Sequence, residues 1–244
     1  MDLTPAQLAL AITGALLVGV SKTGVGGLGV IAAALFALIM PAKASAGFVL
    51  PLLIFGDLVA VASYRPHAVW PHVRRLFPWT ALGVVLGWLA MGQMDDRQAQ
   101  LLIGGIVLGL TALQVASRRT GADIAAPGAW FAPVVGVLAG FTTLVANAAG
   151  ALMAVYLLAV RLPKLEFVGT AAVFFLAVNL FKVPFMAQLG LLTVDSLSFN
   201  LLLAPAVFAG TLGGRWLLPR LSQRAFEDVT LALGALAGAR LMWG

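Results

Sequence analysis

Long stretches of this sequence contain no Asp, Glu, Lys or Arg: Thr23 to Ala42, Leu76 to Met94, Gln98 to Ser117, Ile124 to Val160 and Ser196 to Gly214. A helix needs about 20 apolar residues to cross the hydrocarbon core of a bilayer, so each of these stretches is long enough to span one. Soluble domains carry roughly 25% charged and 45–50% apolar residues; here the figures are 10% and 61% over 244 residues. A soluble globular fold is excluded. The sequence predicts an all-α integral membrane protein, with residues 1–244 forming one transmembrane domain.

A formal net charge of +6 would suggest a nucleic-acid partner in a soluble protein. Here the basic residues sit in short turns between apolar runs, as the positive-inside rule requires, and no nucleic-acid partner is expected. The absence of cysteine excludes disulfides, thiolate metal sites and Cys nucleophiles. The two histidines, His67 and His72, fall in one turn with Trp70, Arg74 and Arg75, where they read as interfacial anchors. Neither a metal site nor a cofactor is expected. Met1 to Pro5 lacks the basic start of a signal peptide, so the first apolar segment should stay in the mature protein.

The chain repeats itself. Sliding it by 122 positions superposes Gly14 on Gly136, Pro41 on Pro163, Gly47 on Gly169, Asp57 on Asn179 and Gly92 on Gly214. A five-residue insertion near Pro219 then aligns Arg97 with Arg224. The halves run from about 6 to 118 and from about 128 to 242. Each should close with three spans: Ala44–Tyr64, Leu76–Met94 and Gln98–Ala116, then Leu165–Phe185, Ser196–Leu218 and Ala225–Leu241. Each should open with a short broken hairpin. Residues 6–20 and 28–40 are separated by Ser21 to Gly27, and residues 130–141 and 148–160 flank Thr142, Thr143 and Asn147. At about 1.5 Å per residue these segments are too short to need the far side of the membrane.

A hairpin that returns to its own side plus three spans makes an odd number of crossings, so the second half should lie upside down relative to the first, the inverted-repeat plan of many secondary transporters. One side then receives Arg65, Arg74, Arg75, Arg118, Arg119, Arg161, Lys164, Arg215, Arg220 and Arg224, and the other Lys43, Arg97, Lys182 and Arg240. Ten against four, with Lys22 between, accounts for all 15 Lys and Arg. This places the first set in the cytoplasm and both termini outside.

The residues able to carry chemistry are few. In Gly19 to Gly29, Lys22 lies beside Ser21, Thr23, Gly24, Gly26 and Gly27. Broken helices present backbone N–H groups to anions, which makes Lys22 a candidate anion counter-ion; otherwise it snorkels to a membrane surface while the glycines allow close packing. Residues 24, 26 and 29 match G-x-G-x-x-G, but no strand precedes them and no acid follows near twenty residues on, so a dinucleotide site is rejected. Asp57 lies inside its span, where a carboxylate can bind and release a proton as its surroundings change, or serve as a structural partner of Lys22 or of a broken helix. Asn179 is its neutral counterpart. Lys182, one turn beyond Asn179, shares its face or snorkels outward. Thr142, Thr143 and Asn147 are site candidates in the second hairpin, although hydroxyls in membrane helices often bond back to their own helix.

These residues carry a resemblance. Gly19–Gly29, the run Ala46-Gly47-Phe48-Val49-Leu50-Pro51-Leu52-Leu53-Ile54-Phe55-Gly56-Asp57 through Tyr64-Arg65, and Phe167-Val168-Gly169-Thr170 through Asn179-Leu180-Phe181-Lys182-Val183-Pro184 are similar to the TauE/SafE, or sulfite exporter, family. The similarity extends over nearly the whole chain. It implies a bacterial inner-membrane carrier for sulfite or small organosulfur anions such as sulfoacetate, driven by protons, with substrate contacts at Lys22 and its glycines and importance at Asp57, Asn179 and Lys182. The chain departs from many members in having Phe141 to Gly150 where they carry a Gly-rich second break. The partners expected are therefore a small anion and the lipid bilayer. A homodimer is compatible with the sequence, but exposed apolar faces are normal in lipid and do not argue for one.

Three rival readings follow. The same scaffold serves equally as an importer, which differs only in the gradients that drive it, or as a carrier of a sulfonate, a carboxylate or another small anion. An intramembrane enzyme would need a nucleophile with a positioned base, and beside the two histidines the sequence offers only Ser63, so no enzyme is expected. A channel would conduct far faster than a carrier and without coupling.

Overall fold

The computed structural model describes residues 4–23, 28–91 and 128–243, with isolated positions from 95 to 115. Gly24, Gly26 and Gly27, most of the expected span Gln98–Ala116 and the joining stretch after Arg118 lie outside the described residues. Among those described there are nine α-helices and no strand. They are α1 (Pro5–Thr23), α2 (Leu28–Ala37), α3 (Ala42–Tyr64), α4 (Trp70–Ala90), α5 (Phe131–Ala146), α6 (Ala149–Ala159), α7 (Lys164–Gln188), α8 (Val194–Leu217) and α9 (Gln223–Trp243). Among the described residues four segments are long and apolar enough to cross a membrane: Pro5–Thr23, Ala44–His67, Lys164–Gln188 and Val194–Arg220.

The opening segments depart from expectation in one respect. Helix α1 is 19 residues long and keeps Ser21, Lys22 and Thr23 in its last turn, so it reaches about 28 Å and is no short half-span. Likewise Thr142 and Thr143 belong to α5, and the second break is confined to Asn147 and Ala148. In sequence these polar residues read as helix breakers. In the structure their hydroxyls bond to carbonyls within or between helices, which lets a helix continue through them: Ser21 Oγ donates to Val18 O at 2.7 Å, Thr142 Oγ1 to Ala139 O at 3.2 Å, and Thr23 Oγ1 to Thr211 O at 2.7 Å.

The sequence halves do not fold apart. Helices α1 and α2 form a core with α3 and α8 through Val18, Phe36, Leu52 and Val207, while α5 and α6 share a second core with α4 and α7 through Leu144, Leu152, Val84 and Phe174. Glycines set both crossings. Gly19 and Gly210 bring α1 against α8, and Gly83 and Gly140 bring α4 against α5, so closely that a Cβ at any of the four would strike backbone of the facing helix. Lipid offers no hydrophobic drive for association, and close backbone approach replaces it. Leu82, Leu86 and Leu89 on α4 and Leu197, Leu201 and Leu212 on α8 point outward instead. Gly140→Ala should therefore lower the melting temperature in detergent by an amount equivalent to about 1–3 kcal/mol, whereas Leu201→Ala should leave it nearly unchanged. A neutral Gly140→Ala would refute the crossing.

His72 does more than anchor at an interface. Its Nδ1 lies 3.0 Å from the Tyr156 hydroxyl, joining the start of α4 to α6, and Tyr156 stacks on Phe131.

Candidate functional site

Helices α3 and α7 run antiparallel through the middle of the bundle. Gly47 at the start of α3 meets Leu191 just past α7, and Thr170 near the start of α7 accepts from Val69 N just past α3. Where they meet, Asn179 Nδ2 donates to Asp57 Oδ2 at 2.6 Å, and both side chains are buried. The other carboxylate oxygen, Oδ1, is 2.8 Å from Lys22 Nζ. A lone charge at this depth would be costly, and each of the two ions is the counter-charge of the other. Lys22 does not snorkel.

Local sequence explains how the pair forms. Lys22 sits in the last turn of α1, where the helix dipole favours a cation. Gly56, beside Asp57, leaves room for the lysine stem, since a Cβ there would lie 3.1 Å from Lys22 Cγ. The Phe175 ring lies 4.8 Å from Nζ, a cation–π contact.

A second polar group closes the end of α5. Asn147 adopts a left-handed conformation, φ 52°, as the helix C-cap, a conformation asparagine tolerates better than most residues. Lys182 Nζ donates to Thr143 O at 2.8 Å, to Thr143 Oγ1 at 3.3 Å and to Asn147 Oδ1 at 2.7 Å. Asn147 Nδ2 in turn donates to Ala46 O on α3 at 3.1 Å. Lysine and amide thus supply the carbonyl and backbone partners that the broken hairpin would otherwise lack.

Between the two groups lies a cavity of about 50 Å³. Ser21, Lys22, Asp57, Thr143, Asn147 and Asn179 form its polar wall, and it follows α7 toward its N-terminal end as far as Phe167. Gly29 and Gly150, in the first turns of α2 and α6, also line it. Helix α6 has no side-chain cap, so its first backbone N–H groups are available there. One water needs roughly 10–15 Å³, so the space suits a few waters or one small oxyanion.

The structure thus brings Ser21, Lys22, Asp57, Thr143, Asn147 and Asn179 to one cavity. It does not bring Thr23 or Thr142, which are buried in helix packing, and it holds Lys182 one hydrogen bond behind the wall. Phe175 and Gly150 also belong to the site, although neither is among the candidates that the sequence offers. Phe175 lies in an apolar run with nothing to mark it, whereas Gly150, three residues past the Asn147 break, was readable as the start of a second half-helix.

Apolar helices around a cavity walled by lysine, carboxylate and amide groups define a multi-pass membrane protein with a polar site among its helices. The family model described as Sulfite exporter TauE/SafE matches residues 11–241, and the chain belongs to that family of membrane transporters. Its partners are accordingly a small anion and the lipid bilayer. No curated protein and no solved structure matches the chain.

Proposed function

We propose that this protein is a proton-coupled secondary transporter that exports sulfite, or a small organosulfur anion such as sulfoacetate, across the bacterial inner membrane. The observation that carries the reading is the Lys22–Asp57 ion pair on the wall of a cavity with room for one small oxyanion. An anion entering the cavity competes with Asp57 for the Lys22 ammonium. A proton on Asp57 removes the competitor, so anion and proton occupy the site together and leave it together. Direction then follows the summed gradients, and a cell that generates the anion inside drives it out. Sulfite, with four heavy atoms, matches about four water positions; sulfoacetate requires the cavity to widen.

Hydrogen bonds to the bound anion come from the Thr143 hydroxyl, the Asn179 and Asn147 amides, and backbone N–H groups at Gly24, Gly26 and Gly27; Ser21 joins them by turning its hydroxyl away from Val18 O, to which it donates in the structure. In this reading the two halves are inverted repeats. Support comes from Asp57 and Asn179, 122 residues apart, meeting between antiparallel helices, and from the matched glycine crossings of α1 on α8 and α4 on α5. The cavity extends toward the end of α7 that carries Lys164, the end assigned to the cytoplasm by charge, which suits loading from inside. The termini then lie in the periplasm.

The test is flux of sulfite and of sulfoacetate in proteoliposomes, with and without an imposed pH gradient. Gradient-dependent flux of either anion is expected. No flux of either, from vesicles shown to hold folded protein, would overturn the substrate assignment.

A further inference from the structure

The buried polar site holds more positive than negative charge. Lys22 is neutralised by Asp57, but Lys182, fully buried, is held only by acceptors that bear no charge: the Thr143 carbonyl and hydroxyl and the Asn147 amide oxygen. The charged groups that face it from packed helices are Lys22 on α1 and Asp57 on α3. Lys182 makes no ion pair with either, and none with any other described residue. An ammonium so placed lacks a counter-ion in a medium where that is expensive.

Its position shows where a counter-ion would sit. Thr143 and Asn147, which hold Lys182, both line the cavity, so the ammonium stands one hydrogen bond behind the wall. The Thr143 hydroxyl accepts from Lys182 and donates to no described residue. Its hydrogen is free for an acceptor in the cavity.

We infer that the site is matched to a doubly charged oxyanion and that Lys182 sets this preference as a positioning residue, acting through Thr143 and Asn147. The inference rests on the reading of Asp57 as the proton carrier. With that proton in place, Lys22 and Lys182 contribute one positive charge each and Asp57 none. A divalent anion cancels the pair, whereas a monovalent one leaves half of it unmet.

Sulfoacetate and isethionate separate charge from size, since both are two-carbon sulfonates and the second replaces a carboxylate by a neutral CH2OH group. Equilibrium binding of each to the purified full-length protein in nanodiscs should favour sulfoacetate by at least about tenfold. In Lys182→Gln the ratio should fall below about threefold; a purely structural lesion would weaken both anions alike and keep the ratio. A wild-type ratio near one, or an unchanged ratio in Lys182→Gln, overturns the inference while leaving the anion site standing. Binding of neither anion, with sulfite also silent, overturns the site reading and this inference with it. A second measurement needs no variant. One divalent anion moving with one proton carries a net negative charge, so sulfoacetate flux in proteoliposomes should respond to a potassium diffusion potential, and isethionate flux should not. Sulfoacetate flux indifferent to potential overturns the inference.

Discussion

With asparagine at position 57, anion binding should no longer weaken as the pH rises, and transport should no longer follow a pH gradient. In the wild type, an anion gains Lys22 only when Asp57 holds a proton. Its affinity should therefore fall by about tenfold per pH unit once that carboxyl is ionised, the slope of a single linked proton. Asparagine cannot ionise, yet its amide oxygen can still accept from Asn179 Nδ2, which donates to Asp57 Oδ2 at 2.6 Å. Lys22 is left permanently available. Binding across pH 5.5 to 8.5 should be flat within about twofold, and counterflow of the anion should persist while gradient-driven accumulation disappears. Accumulation that still tracks the pH gradient in Asp57→Asn would remove Asp57 from the coupling step.

Methionine at position 22 should abolish binding and also damage the fold, and the two effects can be separated. Lys22 Nζ is the ion-pair partner of a fully buried carboxylate. Removing one member of such a pair costs about 3–5 kcal/mol, because the other charge is left uncompensated. Loss of the charge that faces the anion should weaken binding by at least about a hundredfold. The double variant Lys22→Met with Asp57→Asn removes the stranded carboxylate as well, so its melting temperature should return most of the way to wild type. Binding should stay lost. If the double variant recovered binding along with stability, the lysine would be a structural strut and the anion site would lie elsewhere.

How much of this site is legible in the sequence varies by residue. Lys22, Asp57, Asn179 and Lys182 announced themselves, because an ionisable or amide group inside an apolar run is too costly to be incidental. The offset of 122 superposes Asp57 on Asn179 in the sequence, and in the structure the two share a hydrogen bond. Thr23 and Thr142 looked equally eligible in sequence. They are buried against helix backbone instead, because a hydroxyl can bond to a carbonyl in its own or a facing helix with no ligand present. The same ambiguity moved the hairpin breaks: Ser21 to Thr23 and Thr142 to Thr143 read as interruptions, yet both helices run through them.

By itself the sequence determined the solvent in which the chain folds, the helical nature of its segments and the few residues costly enough to require partners. Those properties are local, since each depends on the length of an apolar run or the price of a charge within it. Tertiary structure alone decided which lysine meets which partner. Lys22 could have faced lipid headgroups, an anion or Asp57, and Lys182 could have snorkelled outward. Their fates depend on glycine crossings at Gly19, Gly83, Gly140 and Gly210 that set helix against helix, and on Gly56, whose missing Cβ lets the Lys22 stem pass to Asp57. A contact between residues 35 or 122 positions apart is set by packing across helices, which no local spacing encodes.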